Sequence, residues 1–214
     1  DGEKEAVTSI CRWARRAGLL DRVEVLGFVD GTTSIDWITD CGCQTINLLC
    51  KGSERHCKFQ LKKSLSEHVE DIKHSIAYAK EKGVNVNIYM EDWSNGIKDN
   101  PDYVMAFVDA LRNEGVIRFM LPDTLGILNP SRTAAFMRMM TSRYPDIHFD
   151  FHAHNDYDLA VGNVLAAVME GCSGVHTSIN GLGERAGNAP LSSVQAVLND
   201  HAHFHTNVRE ENLC

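Results

Sequence analysis

The stretch "IHFDFHAHNDYDLAVGNVLAAVMEG", residues 147–171, contains one complete unit of the predicted fold. Residues 147–152 alternate between apolar and polar side chains, and this pattern and length are typical of a short strand. A polar loop follows, and then an amphipathic helix that a glycine, Gly171, ends. His152 and His154 stand one residue apart where the strand gives way to the loop. The stretch therefore predicts a strand–loop–helix unit with two histidines at its junction.

The same order of strand, polar loop and amphipathic helix recurs along the chain. Strands are predicted at 22–29, 44–50, 84–90, 116–121, 147–152 and 174–179. Ser64 and Glu67 form a capping-box pattern before a helix, and Gly83 is predicted to stop that helix. Strict alternation of this kind predicts a parallel sheet, in either an open doubly wound fold or a closed barrel.

Two features favour the barrel. No glycine-rich loop follows an early strand, as a doubly wound nucleotide fold would require. Polar side chains instead follow several strands, at Asp30, Lys51, Glu91, Asp92, Asp123, Thr124, His152, His154 and Asn180. A (β/α)8 barrel builds its active site on that rim and uses about 250 residues for eight units. We therefore predict an α/β fold, a (β/α)8 TIM barrel truncated by about two N-terminal strands. Residues 1–200 would form this partial catalytic barrel, and residues 201–214 would begin a linker to a missing C-terminal subdomain.

Composition narrows the class of partners. The 214 residues are 43% hydrophobic and carry a net charge of −8, which disfavours nucleic acid and anionic membranes as partners. No apolar run approaches the ~20 residues of a membrane-spanning helix, and no signal-peptide pattern opens the chain. The seven cysteines are scattered, and Cys41-Gly-Cys43 lacks the spacing of a zinc site. Reduced thiols in a cytoplasmic protein are the expectation.

His152 and His154 are the candidate metal ligands. Alternate residues of a strand point to one face, so both imidazoles can enter one site. Imidazole suits several divalent metals. The alternative is a pair of hydrogen-bonded loop histidines. A second pair of this spacing, in "HAHFH" at 201–205, lies in a polar terminal stretch and is predicted to be solvated or to end a helix.

Other rim segments have a functional and a structural interpretation. The loop "NGLGERAGNAP", 180–190, offers backbone N–H groups to phosphate or carboxylate, or is a flexible turn. Glu91, on the same strand face as Tyr89, is a candidate general base or a solvated carboxylate. Thr124 could hold a substrate carboxylate or cap a turn. The basic stretch 51–63 is predicted to lie over the barrel mouth, or to be a solvated loop and helix start.

Taken together, "FHAHND", "INGLGERAGN", "LPDTLG" and "INLLCKGSERH" resemble the metal-dependent Claisen-condensing barrels, the isopropylmalate, homocitrate and citramalate synthases. The resemblance extends from about residue 2 to 200. It implies a divalent ion, Zn, Mn, Mg or Co, on His152 and His154, with Asn188 as a nearby or direct oxygen ligand. It implies that Thr124 holds the carboxylate of a 2-oxo acid and that Glu91 lies near the acetyl methyl group. The implied acetyl-CoA site includes Asn180, Gly181, Gly183, Glu184, Arg185 and Gly187.

Within that family, the segments "VEVLGFVDG" and "IYMEDWSNG" are most similar to the citramalate synthases. Leu26, Leu49 and Tyr89 fall where the small apolar pocket for pyruvate is built. Two leucines and a tyrosine would crowd a methyl group and exclude a branched chain, although one methylene discriminates by only about 1–3 kcal/mol. The implied activity is an acyl transfer in amino-acid biosynthesis. Acetyl-CoA condenses with pyruvate and the thioester is hydrolysed, in a cytoplasmic homodimer.

Two departures from the family leave alternatives open. The family's first strand carries an Arg-Asp pair, whose Asp is a metal ligand, and its C-terminal subdomain supplies a further histidine across a dimer. Neither is present in this sequence, so we expect the chain alone to be inactive. The alternatives are an isopropylmalate or homocitrate synthase, an acyl-CoA lyase of the same superfamily, and a non-catalytic truncated barrel. Such lyases place a cysteine in the late glycine-rich loop, whereas Cys172 precedes the last predicted strand.

Overall fold

A computed structural model describes residues 2–204, 206–209, 211 and 213 of the chain. The strands are β1 Val25–Phe28, β2 Thr45–Lys51, β3 Asn85–Glu91, β4 Phe119–Asp123, β5 Phe149–Ala153 and β6 Gly174–His176. The helices are α1 Gly2–Ala17, α2 Thr33–Asp40, α3 Glu54–His56, α4 Leu65–Glu81, α5 Trp93–Asp99, α6 Pro101–Leu111, α7 Pro130–Arg143, α8 Ala160–Met169 and α9 Leu191–His201. Short 3₁₀ turns lie at Leu20–Arg22 and Ile179–Gly181, and a π turn lies at Cys57–Leu61.

The order of strands in the sheet decides the fold class. The six strands are hydrogen-bonded in sequence order, from β1 to β6. β1 pairs with β2 and β5 with β6 in parallel. A doubly wound sheet would reverse its strand order at a switch point, and the described strands show no reversal. Consecutive β/α units in a single winding direction are those of a (β/α)8 barrel, so the predicted fold class is confirmed.

Three predicted strands were wrong by three residues at one end. The first begins at Val25 instead of residue 22, because the chain from Leu20 to Arg22 is a 3₁₀ turn. The fourth is Phe119–Asp123, shifted toward the carboxyl end of the predicted 116–121. The last ends at His176 instead of residue 179, because Asn180 adopts a left-handed conformation inside another 3₁₀ turn. Such turns interrupt a β-prone run without a change in residue type.

The predicted helix signals correspond to real caps. The Ser64 hydroxyl accepts the Glu67 N–H, and the Glu67 carboxylate accepts the Ser64 N–H at 2.8 Å. Gly83, with a φ of 70°, follows the end of α4. Asn129 caps α7 by accepting the Arg132 N–H at 2.9 Å. Each such cap is worth about 1 kcal/mol, so the helix starts are encoded locally.

The chain divides into two compact units, each with its own core. The first runs to Met90 and includes Asp102–Phe119, and the second comprises Glu91–Pro101 and the chain from Met120 onward. In the first unit, alternate residues of β2 are buried, at Ile46, Leu48 and Cys50. In the second unit, Trp93 is fully buried and meets the rings of Phe136 and Phe151 edge to face, both at 6.4 Å.

The cysteines behave as small buried side chains. All six described cysteines are free thiols and buried, in agreement with the expectation of reduced thiols. Among the described helices, none has the length and apolar character to cross a membrane.

Candidate functional site

Strand β5 has one polar and one apolar face. Its apolar positions are almost completely buried, at Phe149, Phe151 and Ala153. The alternate positions within the strand are Asp150 and His152, and His148 and His154 flank it at the same spacing, so that four polar side chains form a row. This period-two pattern arises because neighbouring side chains of a strand point to opposite faces. The two predicted metal histidines therefore lie on one face, as the sequence predicted.

The imidazoles of His152 and His154 are adjacent and neutral. Their ring centroids lie 4.9 Å apart. Burial, together with the neighbouring His176 and His154, lowers the pKa of His152 to about 3. Burial and the nearby Arg185 also lower the pKa of His154. A metal needs the neutral imidazole, so both rings are in the form that binds a cation at neutral pH.

Asn188 lies beside these histidines. It forms an isolated antiparallel bridge with His154, and its side-chain amide donates to the Leu182 carbonyl at 3.2 Å. Its Oδ1 atom and the Nδ1 atom of His154 are buried without a hydrogen-bond partner among the described residues. Buried polar atoms without a partner require an explanation, and a bound ion is one. The donor set of two imidazoles and an amide oxygen therefore fits a divalent ion.

The ligand set is nevertheless incomplete within the described residues. They contain no group of three His, Cys, Asp or Glu side chains that could hold a metal ion. Catalytic zinc takes three ligands from the protein, so the amide oxygen of Asn188 would have to supply the third among the described residues.

The loop of residues 180–190 is closed on itself. Asn188 donates its N–H to the Gly181 carbonyl, and Gly187 donates to the Glu184 carbonyl, both at 2.9 Å. A Cβ on Gly187 would lie 2.1 Å from the Gly181 oxygen, and one on Gly183 would lie 2.3 Å from the Asn188 amide. Glycine is therefore required for close packing at two positions that the sequence assigned to acetyl-CoA.

Arg185, also assigned to acetyl-CoA, is held by protein groups. Its Nε and Nη2 atoms donate to the two oxygens of Asp156 at 2.6 and 2.7 Å, and Nη2 also donates to the Thr124 carbonyl at 3.0 Å. This guanidinium holds the pKa of Asp156 below its usual range. Arg185 therefore joins three loops, and the sequence did not single out Asp156, although it follows the second histidine by two residues.

The side chains of Thr124 and its neighbour Asp123 accept hydrogen bonds from backbone N–H groups. The Thr124 hydroxyl accepts the Asp92 N–H at 2.8 Å. Asp123 is fully buried and accepts the N–H groups of Ile127 and Leu128 at 3.0 and 2.9 Å, which secures the turn after β4. Burial raises the pKa of Asp123. The other rim carboxylate, Glu91, is the half-buried last residue of β3.

The sequence analysis did not predict that one aspartate carboxylate would contact two histidines. The nearly buried carboxylate of Asp150 lies 2.8 Å from His148 Nε2 and 3.2 Å from His176 Nε2. The His176 ring lies 5.6 Å from the His152 ring. The signal for His148 and Asp150 was present in the alternation of "HFDFHAH", but His176 is on β6 and reaches this carboxylate only through the β5–β6 register.

The predicted pyruvate-pocket residues lie in the first unit. In the β1–β2 register, Leu26 is opposite Asn47 and Phe28 is opposite Leu49, which places Leu26 and Leu49 on one sheet face. Leu26 and Phe28 are 51% and 57% exposed. Tyr89 is half-buried in the middle of β3. Phe28 was missed, although it stands two residues from Leu26 and therefore shares its face.

The hydrogen-bonded amides of Asn47 and Asn87 continue this face. The Asn87 amide donates to the Asn47 oxygen at 2.8 Å. Strand alternation places Asn47 beside Leu49 and Asn87 beside Tyr89 on the same face. The apolar groups of this face therefore adjoin a polar pair that the sequence analysis did not single out.

Cys172 has no exposed thiol. It is buried, its Sγ donates to the Phe149 and Gly174 carbonyls, and burial raises its pKa to about 12. A nucleophilic cysteine needs a lowered pKa and access, so this residue is structural. In the terminal stretch "HAHFH", α9 ends at His201 and His203 is exposed, which confirms the predicted helix end, whereas His205 lies outside the described residues.

A family model described as HMGL-like matches residues 2–214. The chain is 42% identical over 149 residues to homocitrate synthase of Sulfolobus acidocaldarius, covering 70% of this chain and 31% of that protein. It is 32% identical over 194 residues to 2-isopropylmalate synthase of Sulfurisphaera tokodaii, covering 90% of this chain and 50% of that protein. The chain thus spans a third to a half of these relatives.

Solved structures show the same fold. Hydroxymethylglutaryl-CoA lyase from Pseudomonas aeruginosa superposes with a TM-score of 0.76 at 21% identity, covering 88% of this chain and 65% of that one. An HMG-CoA lyase in complex with coenzyme A and 3-methylmalate superposes with a TM-score of 0.71 at 18% identity, covering 88% and 64%. At these identities, the likeness concerns the fold alone.

Proposed function

The chain belongs to the HMGL-like family, and on this premise we propose that the protein condenses acetyl-CoA with a small 2-oxo acid, pyruvate above others, to give citramalate. The similarity to homocitrate and isopropylmalate synthases supports the reaction class. Because the chain spans only part of those proteins, the proposal concerns the whole protein that contains it. The observation that carries it is the pair of neutral imidazoles, His152 and His154, beside the unpartnered Asn188 oxygen.

His152, His154 and Asn188 would hold the divalent ion. Bound there, the ion would supply a Lewis acid for the keto group and a template for the 2-oxo acid. The protein keeps both imidazoles neutral by burial, and keeps Asn188 in place through its bond to Leu182. These residues therefore prepare the site before the ion binds.

Thr124 is suited to hold the substrate carboxylate. Its hydroxyl oxygen accepts the Asp92 N–H. A threonine hydroxyl has one donor and two acceptor sites, so the O–H proton remains available. It would donate to a carboxylate oxygen of the 2-oxo acid. Glu91, which ends the strand before Asp92, would take up a proton from the acetyl methyl group as the carbon–carbon bond forms.

The choice of pyruvate rests on the apolar side chains of the first unit. Leu49 and Tyr89 are half-buried, and Leu26 and Phe28 present their side chains on the same face as Leu49. Three large apolar groups and a tyrosine would leave room for a methyl group, whereas a branched or carboxylated chain would meet them. Homocitrate and isopropylmalate synthesis are the alternatives within the same reaction class.

An acyl-CoA lyase is the second candidate, since the solved structures of similar fold include HMG-CoA lyases. The chemistry of the cysteines disfavours it. The loop 181–190 contains none, and Cys172 is buried with a pKa raised to about 12. A thiol in that state cannot act as a general acid or base near neutral pH.

The test is thiol release from acetyl-CoA by the whole protein with pyruvate, 2-oxoisovalerate or 2-oxoglutarate. Pyruvate should give the highest kcat/KM, and the His152→Ala variant should lose both activity and metal. His74→Ala, on the exposed face of α4, is the matched control. Highest activity with another acid would reject the pyruvate assignment. Cleavage of HMG-CoA would favour the lyase. A protein that shows no activity and holds no stoichiometric metal would favour a non-catalytic barrel.

A further inference from the structure

The buried carboxylate of Asp150 lies in the middle of the polar row on β5, and the proposed chemistry gives it no role. Its side chain is only 4% exposed. One carboxylate oxygen lies 2.8 Å from His148 Nε2, and the other lies 3.2 Å from His176 Nε2. Burial of a carboxylate is costly unless hydrogen bonds compensate for the lost water. The two imidazoles supply such partners, one for each oxygen.

Strand β6 leaves room for this carboxylate. Gly174 is the residue of β6 that is paired with Asp150. A Cβ on Gly174 would lie 2.1 Å from Asp150 Oδ1 and 3.4 Å from His148 Nε2. A glycine inside a strand weakens the strand and often marks the close approach of another group. Here the approaching group is the carboxylate, and a larger residue would displace it from its partners.

His176 connects the carboxylate with the proposed metal ligands. In the β5–β6 register, His176 is paired with His152. The two ring centroids lie 5.6 Å apart at an interplanar angle of 61°. The His154 ring contacts the same imidazole at 4.9 Å and 77°. The His152 ring is therefore packed against two other imidazoles, and Asp150 holds one of these in place.

This packing restricts the orientation of a metal ligand before any ion binds. An imidazole that rotates freely loses side-chain entropy when it is fixed by an ion, whereas a ring that is already confined loses less. Residues that orient a ligand without contacting the ion typically change metal affinity by about 10–100-fold when they are removed. His154 is itself a proposed ligand, so His176 is the neighbouring ring of His152 that lies outside the ligand set.

We propose that Asp150 and His176 are positioning residues, which hold the His152 imidazole in the orientation that a divalent ion requires. The inference rests on the proposed function, because it takes His152 as a ligand of the ion. The role of Asp150 is geometric, so an uncharged amide at this position should preserve it. An asparagine side chain can accept a hydrogen bond from one imidazole and donate one to the other.

The experiment is titration of the whole protein with Co²⁺, monitored by the visible absorption of the bound ion. Asp150→Ala and His176→Ala should each weaken the Kd by about tenfold. Both should also change the absorption band, because the band depends on the geometry of the ligands. Since Asp150 acts through His176, the double variant should lose little more affinity than either single one. Asp150→Asn should bind within about threefold of the wild type.

His148→Ala is the matched control. His148 contacts the same carboxylate from the same strand face, but His176 is the residue paired with His152. The control should bind Co²⁺ within about twofold of the wild type and with the same spectrum. An equal loss of affinity in His148→Ala and Asp150→Ala would overturn the inference, because general damage to the strand would then explain both.

Wild-type affinity in Asp150→Ala and His176→Ala, or weaker binding with an unchanged spectrum, would also overturn the inference. Should Asp150→Ala fail to fold, His176→Ala decides the question with the same two measurements, since its side chain is 27% exposed. No acetyl-CoA or 2-oxo acid is present in these titrations. Variants that behave as expected in a protein that condenses no 2-oxo acid would refute the proposed function and leave this inference standing.

Discussion

Arg185 binds Asp156 through two parallel hydrogen bonds of 2.6 and 2.7 Å, although 29 residues separate them. The pair joins the glycine-rich loop to the loop that follows His154. The same guanidinium donates to the Thr124 carbonyl. One side chain thus connects the segments that carry a proposed metal ligand, His154, the candidate carboxylate-binding Thr124 and Asn188.

Arg185→Met should lower the free energy of unfolding by about 1 kcal/mol, because the pair is bidentate but 39% and 23% exposed. Asp156→Asn should have a similar effect, and the double variant should lose little more than either single one. Urea denaturation measures all three. Arg138→Met removes the pair with Glu170 elsewhere and should leave metal affinity intact. If Arg185→Met also binds metal with unchanged affinity, the Arg185–Asp156 pair does not support the metal site.

His154→Ala should weaken the binding of Mn²⁺ or Zn²⁺ by the whole protein by at least about 100-fold, since loss of a direct ligand should exceed the loss of an outer-shell partner. Equilibrium dialysis with metal analysis measures this. His74→Ala, on an exposed helix face, should bind as the wild type does. Equal affinity in His154→Ala would remove this residue from the metal site.

Gly187→Ala should destabilise the protein by about 2–4 kcal/mol and disorder the loop of residues 180–190. A Cβ there would lie 2.1 Å from the Gly181 oxygen, at a φ of 93°. Gly31→Ala is the matched control, because Gly31 has a φ of 79° and no atom within 4 Å of such a Cβ. That variant should cost about 1 kcal/mol. Equal effects of the two variants would show that strain in φ, and not the close contact, decides the outcome.

His68 should make the protein acid-sensitive. Burial lowers its pKa to about 4 from 6.5, and its Nε2 accepts the Lys51 N–H at 3.0 Å. Between pH 6.5 and 4, His68 binds a proton in the unfolded chain but stays neutral in the folded chain. The free energy of unfolding therefore falls as the pH drops through this interval. The loss should be on the order of 2–3 kcal/mol.

His68→Gln is the variant that tests this origin, because its amide oxygen can still accept the Lys51 N–H. Its stability should change less over the same interval when measured by urea denaturation at pH 7, 6, 5 and 4. His74→Ala controls for loss of an exposed histidine. The same pH slope in His68→Gln and the wild type would assign the acid sensitivity to other groups.

Leu49→Ala should shift substrate preference from pyruvate toward 2-oxoisovalerate by roughly 10–100-fold in the ratio of kcat/KM. Removal of the half-buried leucine side chain would leave room for a branched chain on that sheet face. Leu48→Ala is not a suitable control, because Leu48 is in the core. Ile10→Ala is a better one, since Ile10 is 51% exposed and lies on helix α1 instead of the sheet. An unchanged ratio in Leu49→Ala would place the pocket elsewhere.

Local patterns in the sequence determined much of the secondary structure of this protein. The alternation of strands and helices, the caps at Ser64 and Asn129, and the polar face of β5 follow from periods of 3.6 and 2 and from side-chain to backbone bonds. These act over a few residues. The family followed from several short motifs taken together. The positions of His152 and His154 on one face needed no knowledge of the tertiary structure.

Only the tertiary structure decided which loops meet. The pairing of Arg185 with Asp156, the shared carboxylate of Asp150 and the unpartnered oxygen of Asn188 depend on the positions of residues far apart in sequence. A cavity of about 490 Å³ beside the π turn likewise needs Tyr103, which comes from α6. Periodicity tells which face a side chain occupies, but the register between strands and the path of each loop determine what it contacts there.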